Sequence, residues 1–169
     1  MNAVTPTTPQ PSRPATPQAA LRLARTVVAA MAGGVLVFWA VVWFVTEGGA
    51  RPFGASGFSP RVAATVWSVL ALGTFAGALV FRGRAAGVVE EARRSGGAPA
   101  IYARSGETQS FIIVAMALLE VPALFAGVAF LLLGTVQLLF YAAPIYLLGV
   151  ALTFPRAEWF GANPAREGR

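Results

Sequence analysis

Four residue types that carry much of enzyme chemistry are missing from this chain of 169 residues: cysteine, histidine, lysine and aspartate. Without Cys and His there can be no disulfides, Cys/His zinc sites, haem ligation through His or His-based catalytic triads. Without lysine there can be no Schiff-base chemistry. The sequence also has no glycine-rich phosphate loop and no serine or threonine beside a plausible base. We therefore expect a protein that is not an enzyme and that binds no cofactor and no metal.

Charge is scarce as well. Only 12% of the residues are charged and 56% are hydrophobic, whereas a soluble domain has about 25% charged residues. The apolar residues form long unbroken runs, which are typical of membrane spans. The sequence predicts an all-α membrane protein with one four-helix transmembrane bundle over residues 26–154, whose spans are 27–45, 62–81, 111–133 and 136–154.

The remaining segments are polar. Residues 1–25 are rich in Pro and Thr, so we expect a disordered tail. Residues 82–109 form a polar loop, whose first part is predicted to extend the second helix until a cluster of Gly and Pro ends it. Residues 155–169 are predicted to be a polar tail.

The distribution of arginine predicts the topology. The net charge is +6 and every basic residue is Arg. Three lie in the first tail, five in the 82–109 loop and three in the last tail, against two in the loop 46–61. Because basic residues accumulate on the cytoplasmic side, we expect both termini and the large loop to be cytoplasmic in a multi-pass protein of the inner membrane. This interpretation is topological, so no nucleic-acid partner is expected. The expected surroundings are the lipid bilayer, and a homo-oligomer or another membrane partner stays open.

Small residues within the apolar runs predict close packing of helices. The candidates for helix contacts are Gly33, Gly34, Gly73, Gly77, Ala117, Ala123 and Gly127. Two tryptophans of the first span, Trp39 and Trp43, are expected near the outer interface, where indoles favour the headgroup level.

One carboxylate, Glu120, lies near the middle of the third apolar run. A charged side chain at the centre of a span costs ~2.5–3.5 kcal/mol, so an acid at this depth is a candidate functional site. Pro122 cannot donate to the carbonyl of Leu118, which leaves an acceptor close to the acid. We expect a neutral Glu120 to hydrogen-bond to that carbonyl or to the adjacent fourth helix, where the candidate partners are Gln137, Tyr141 and Tyr146.

The stretch TQSFIIVAMALLEVPALFAGVAF resembles the carboxylate-bearing second helix of the ATP synthase c subunit, the proteolipid of the rotary ring. The preceding ALGTFAGALVFRGRAAGVVEEARR loosely follows that family's first helix and basic cytoplasmic loop. The resemblance covers about residues 71–133. The chain departs from the family in its sparse glycines, its long polar loop and its extra spans. The resemblance implies that Glu120 is an exchangeable carrier of a proton or a sodium ion.

Two functions follow from these observations. The first is a structural or accessory membrane subunit in which a buried Glu120 holds helices together. The alternative is translocation of a proton or cation with Glu120 as the exchangeable carboxylate, similar to a c subunit or to a small proton-coupled exporter.

Overall fold

The computed structural model describes residues 16–47, 59–134 and 136–162. This part of the chain is all-α, as predicted, and contains no strand. Its elements in chain order are α1 (Pro17–Glu47), α2 (Pro60–Ala103), α3 (Ser105–Leu133), α4 (Gln137–Thr153) and a C-terminal 3-10 helix (Ala157–Phe160).

Three of the helices, α1, α2 and α3, are long and apolar enough to cross a membrane. The fourth, α4, is apolar but has only 17 residues, a length of about 26 Å, which is at the lower limit for a bilayer span. The helices also present large apolar side chains outward, among them Phe44, Leu72 and Phe140, which are 68–76% exposed. Such an outer surface is compatible with an integral membrane protein.

Helix α3 is the centre of the bundle, because α1, α2 and α4 all pack against it. Within its most apolar window 44% of the residues are buried, compared with 22% in α1 and 17% in α2. The neighbours α1 and α2 meet α3 at adjacent positions, since Trp39 contacts Ala123 and Trp67 contacts Pro122.

The contacts also give the helix directions. Helix α1 runs parallel to α3, because its residue Trp39 contacts Ala123 and its later residue Trp43 packs on Phe130, which is also later in α3. Helix α4 is antiparallel to α3, since Thr153 reaches Met116. The antiparallel direction of α2 follows from the ring contact of Phe81 with Phe111. The start of α1, the connection between α2 and α3 and the end of α4 therefore lie at one end of the bundle, which we call the arginine end.

Only some of the predicted small-residue contacts form. A Cβ atom on Gly127 would clash with the Phe38 ring, and one on Gly77 would lie 3.1 Å from the Leu118 side chain. In contrast, a Cβ on Gly33, Gly34 or Gly73 would meet nothing within 4 Å. These three glycines therefore make no close contact with another helix in the described residues, and their packing against a helix from outside the chain stays a prediction.

The two predicted alanines also differ from each other. Ala123 is 1% exposed and packs against α1, whereas Ala117 is exposed. Gly149 was not predicted as a helix contact, but an added Cβ there would lie 2.7 Å from Leu119. This glycine lets α4 approach α3 closely.

The arginine end has an apolar core of its own. Residues 17–25, which we expected to be disordered, are helical, and Ala20 and Ala24 are each 1% exposed. In the expected polar tail, Trp159 and Phe160 are buried, and their 3-10 helix packs on α1 and α2. The expectations relied on the polar composition of these segments, whereas several of the few apolar residues that they contain are buried. Residues 1–15 and 163–169 lie outside the described residues.

The segment 82–109 is helical rather than a loop. Helix α2 continues through it to Ala103, and α3 begins at Ser105. The break that we expected is a local kink at Gly97, whose φ of 65° and ψ of −145° are not helical. The helix resumes after it, with Pro99 inside the final turns.

Candidate functional site

Glu120 lies on α3 at the boundary between its packed face and its open face. The side chain is half-buried. Helical spacing places Met116 and Gly127 on one side of it, and both of these are buried. On the other side it has Ala117 and Leu124, which are exposed. Glu120 is therefore not enclosed by the bundle, contrary to the expectation of a buried acid.

The carboxyl group of Glu120 makes no hydrogen bond and no ion pair with any residue in the described part of the chain. The expected hydrogen bond to a neighbouring helix is therefore absent there. A polar group in an apolar environment costs free energy unless it has a partner. The position of this side chain leaves its open side as the place where a partner can reach it.

The three expected partners on α4 occupy different surroundings. Tyr146 is buried, and its hydroxyl is within electrostatic range of Glu120. Tyr141 is 64% exposed. Gln137 is exposed at the start of α4. It is far from the acid, because Gly149 is the α4 residue that contacts Leu119, next to Glu120, and Gln137 lies about 18 Å from Gly149 along the helix axis. Tyr146 is thus the one buried residue of the three, and its hydroxyl makes no hydrogen bond to Glu120.

The Tyr146 hydroxyl is the one buried side-chain polar atom without a hydrogen-bond partner in the described residues. Its ring packs edge-on against Trp39, with centroids 5.8 Å apart and planes at 65°. Buried polar groups in native proteins nearly always have a partner. The Tyr146 phenol is therefore a polar group of the bundle interior that lacks a partner among the described residues.

Two indoles bind the α3 backbone just after the acid. Trp39 of α1 donates its Nε1–H to the carbonyl oxygen of Ala123 at 2.9 Å, and Trp67 of α2 donates to that of Pro122 at 3.0 Å. Both hydrogen bonds are buried. The expectation that Trp39 lies at the membrane interface is wrong, because its side chain points into the packed centre. Neither indole was predicted to bind α3. The one indication in the sequence that α3 has backbone carbonyls bonded outside the helix was Pro122, which has no N–H group to donate.

A small cavity adjoins this site between α2, α3 and α4. Its volume is about 10 Å³, which is room for one water molecule. Its polar side chains are those of Trp67, Thr74 and Tyr146. The Thr74 hydroxyl already donates to the carbonyl of Leu70 at 2.7 Å, so it can act only as an acceptor toward a water.

The carboxyl group of Glu120 is capable of two kinds of interaction, proton exchange and hydrogen bonding. Glu120 can exchange a proton or hydrogen-bond to a helix outside this chain. A metal centre has no basis in the described residues, which contain no cluster of three or more His, Cys, Asp or Glu side chains.

The charges at the arginine end are arranged differently. Glu90 bonds Arg94 at 3.1 Å and Arg93 at 3.4 Å, and Glu91 bonds Arg104 at 2.7 Å. The hydrogen bond and attraction of Glu91 raise the pKa of Arg104 above its ordinary value, and Glu107 at 3.3 Å adds to this effect. Arg156 and Glu158 form a looser pair at 3.9 Å.

Comparison with known proteins adds no family to this picture: no family model, no curated protein and no solved structure matches the chain. The class of the protein therefore rests on its own features. These are an all-α bundle, three helices that could each cross a membrane and an outward-facing apolar surface.

Proposed function

We propose that this protein is a non-enzymatic, four-span protein of the cytoplasmic membrane that acts as a structural or accessory subunit. The arginine end, with both chain termini, faces the cytoplasm. The excess of arginine on that side supports this orientation. The small apolar helix α4 serves as the fourth span, since its 17 residues reach the lower limit of span length.

The observation that carries the proposal is the unpartnered carboxyl of Glu120 on the open side of α3. In hydrocarbon this group requires a hydrogen-bond partner. The small side chain of Ala117 beside it allows another helix to come close. Glu120 therefore bonds a membrane helix from a second copy of the chain.

The test compares Glu120→Gln with Glu120→Leu in purified full-length protein. Glutamine keeps hydrogen-bond donors and an acceptor, whereas leucine has neither. Light scattering and native mass measurement in mild detergent are expected to show oligomers for the wild type and Glu120→Gln and monomers for Glu120→Leu. Equal association by all three proteins would refute the role of Glu120 in assembly.

A second candidate function is translocation of a proton or cation through Glu120. The specific observation in its favour is the unpaired Tyr146 hydroxyl beside a cavity of the size of a water molecule. In this candidate function, a water in the cavity and the Tyr146 hydroxyl would relay a proton toward Glu120. The resemblance of this stretch to the c subunit of ATP synthase points to the same chemistry.

The same two variants separate the candidates. Neither Gln nor Leu can release a proton, so proton uptake into reconstituted vesicles is lost in both if the protein is a carrier. If Glu120 acts only in assembly, no uptake above that of empty vesicles is expected from the wild type. Tyr146→Phe provides a further check, because it removes only the phenol hydroxyl and is expected to reduce uptake by a carrier.

A further inference from the structure

The end of α4 is held by two arginines from other helices. Arg82 of α2 donates its Nε–H to the carbonyl of Leu152 at 2.7 Å, and Arg25 of α1 donates to the carbonyl of Pro155 at 3.4 Å. The last carbonyls of a helix have no partner within it and carry partial negative charge. Arg82 therefore satisfies a carbonyl in the last turn of α4, and Arg25 binds the carbonyl of Pro155 just beyond the end of this helix at Thr153.

Each of these guanidinium groups uses only its Nε–H in this contact. No carboxylate in the described residues bonds to Arg25 or Arg82, and their terminal nitrogens have no partner there. A guanidinium has five N–H donors in a planar fork that matches the oxygens of a phosphate. The four terminal N–H groups of each arginine are thus available to an anion.

The two arginines differ in this respect from those farther along α2. Arg93, Arg94 and Arg104 are bound by Glu90 or Glu91. The net positive charge of this end is therefore concentrated near the end of α4 rather than on the outer part of α2.

The surroundings of the pair are apolar and aromatic. The guanidinium of Arg25 lies 6.0 Å from the centroid of Phe154, whose side chain is 40% exposed. On α2, Arg84 lies 5.7 Å from the Phe81 ring. Arginine side chains near the ends of membrane-spanning helices extend to the headgroup level, and basic pockets between helices at this level bind anionic headgroups.

We propose that Arg25 and Arg82 together bind the phosphate of an anionic phospholipid headgroup at the end of α4. The carbonyls that orient the two side chains are three residues apart, so they lie within about 11 Å of each other. In the proposed complex one headgroup contacts both forks, while its acyl chains follow the exposed apolar sides of α2 and α4. This proposal rests on the membrane location proposed above and is independent of the role of Glu120.

The experiment titrates full-length protein in an uncharged detergent with phosphatidylglycerol and follows the midpoint of thermal unfolding. A ligand that binds only the folded state raises this midpoint. Phosphatidylglycerol is expected to raise the midpoint of the wild type, whereas phosphatidylcholine with the same acyl chains is not. The double variant Arg25→Gln/Arg82→Gln is expected to need roughly 30-fold more phosphatidylglycerol, about fivefold for each cation removed.

The matched control is Arg93→Gln/Arg94→Gln, which removes the same number of charges from arginines already paired with Glu90. It is expected to respond as the wild type does. Equal responses of the two double variants, or an equal response of the wild type to phosphatidylcholine, would overturn the proposal. Inorganic phosphate at millimolar concentration is expected to have no effect, and a full shift with phosphate alone would indicate a free-anion site instead of a lipid site.

A measurement on the wild type keeps the proposal testable if the Arg25/Arg82 variant does not fold. Salt screens charge attraction, so the response to phosphatidylglycerol is expected to weaken between low and high salt. A response that does not change with salt contradicts the proposal. Failure of the membrane location itself would look different, because the protein would then be recovered from cells in the aqueous fraction.

Discussion

Acidic side chains form ion pairs at the arginine end of the bundle, whereas the acidic side chain in the middle of the bundle forms none with the described residues. At the arginine end Glu90, Glu91 and Glu107 each bond an arginine. In the middle, Glu120 has no such partner among the described residues. Within the described residues, the lone acid is therefore not part of the charge pairing found among the acids of the arginine end, and this makes it the candidate for contact with another molecule.

The two regions also differ in what holds their helices together. Paired charges exposed to water contribute little, with a median of about 0–1 kcal/mol per pair. In the middle, the contacts are close glycine approaches and buried indole hydrogen bonds to the α3 backbone. We therefore expect substitutions in the middle to have larger effects on folding than substitutions of the charges at the end.

The largest effect is expected for Gly127→Leu. A side chain at this position overlaps the Phe38 ring and the edge of Trp39, so α1 has to move away from α3. Overpacking of this kind costs about 3 kcal/mol, and a small bundle can lose its fold altogether. The measurements are folded yield in membranes and the midpoint of thermal unfolding in detergent.

The matched control is Gly73→Leu, where a Cβ meets nothing within 4 Å, and a change within about 0.5 kcal/mol is expected there. Equal losses in the two variants would contradict the packing described for α1 and α3.

A smaller effect is expected for Trp39→Phe and Trp67→Phe. Each change keeps a large ring but leaves a carbonyl of α3 without its indole donor. The expected loss is about 1 kcal/mol for each variant, measured as reduced stability toward denaturant in detergent. Trp43→Phe is the control, because Trp43 is 38% exposed and contacts Phe130 only through its ring. If Trp43→Phe is as harmful as the other two, ring packing rather than the hydrogen bond explains the losses.

The sequence predicted the helical class because long apolar runs are a direct property of the chain. It could not predict which small residues are packed. Gly73 and Gly77 have the same spacing signal, but only Gly77 faces α3, and this depends on the rotation of the helix. The roles of Trp39 and Trp67 were missed because an indole donor gives no indication in sequence of which backbone carbonyl it will reach.

The apolar core of the arginine end shows a second limit of sequence interpretation. Trp159 and Phe160 lie in a short segment between charged residues, and no periodic pattern marks them as buried. Their burial depends on a surface made jointly by α1 and α2, which are far from them in the chain. A polar composition therefore did not distinguish a mobile tail from a segment that covers the bundle end.

Glu120→Gln is expected to leave the stability of the monomer nearly unchanged, within about 0.5 kcal/mol. The reason is that the carboxyl has no partner in the described chain whose loss could destabilise it. Thermal unfolding of monomeric protein in detergent measures this quantity separately from assembly. A large loss of monomer stability would mean that Glu120 forms a hydrogen bond within the chain. The acid would then hold helices of one monomer together instead of joining two copies.

The smallest effect is expected for Glu90→Gln. This change breaks the pairs with Arg93 and Arg94, which are exposed and lie on one helix face at spacings of three and four residues. Pairs of this kind contribute about 0.3–0.5 kcal/mol, and salt screens them. Chemical denaturation by urea at low and high salt is expected to show a small loss at low salt that disappears at high salt. A loss comparable to that of Trp39→Phe would mean that the outer part of α2 is held by its charges, and the contrast between the two regions would then fail.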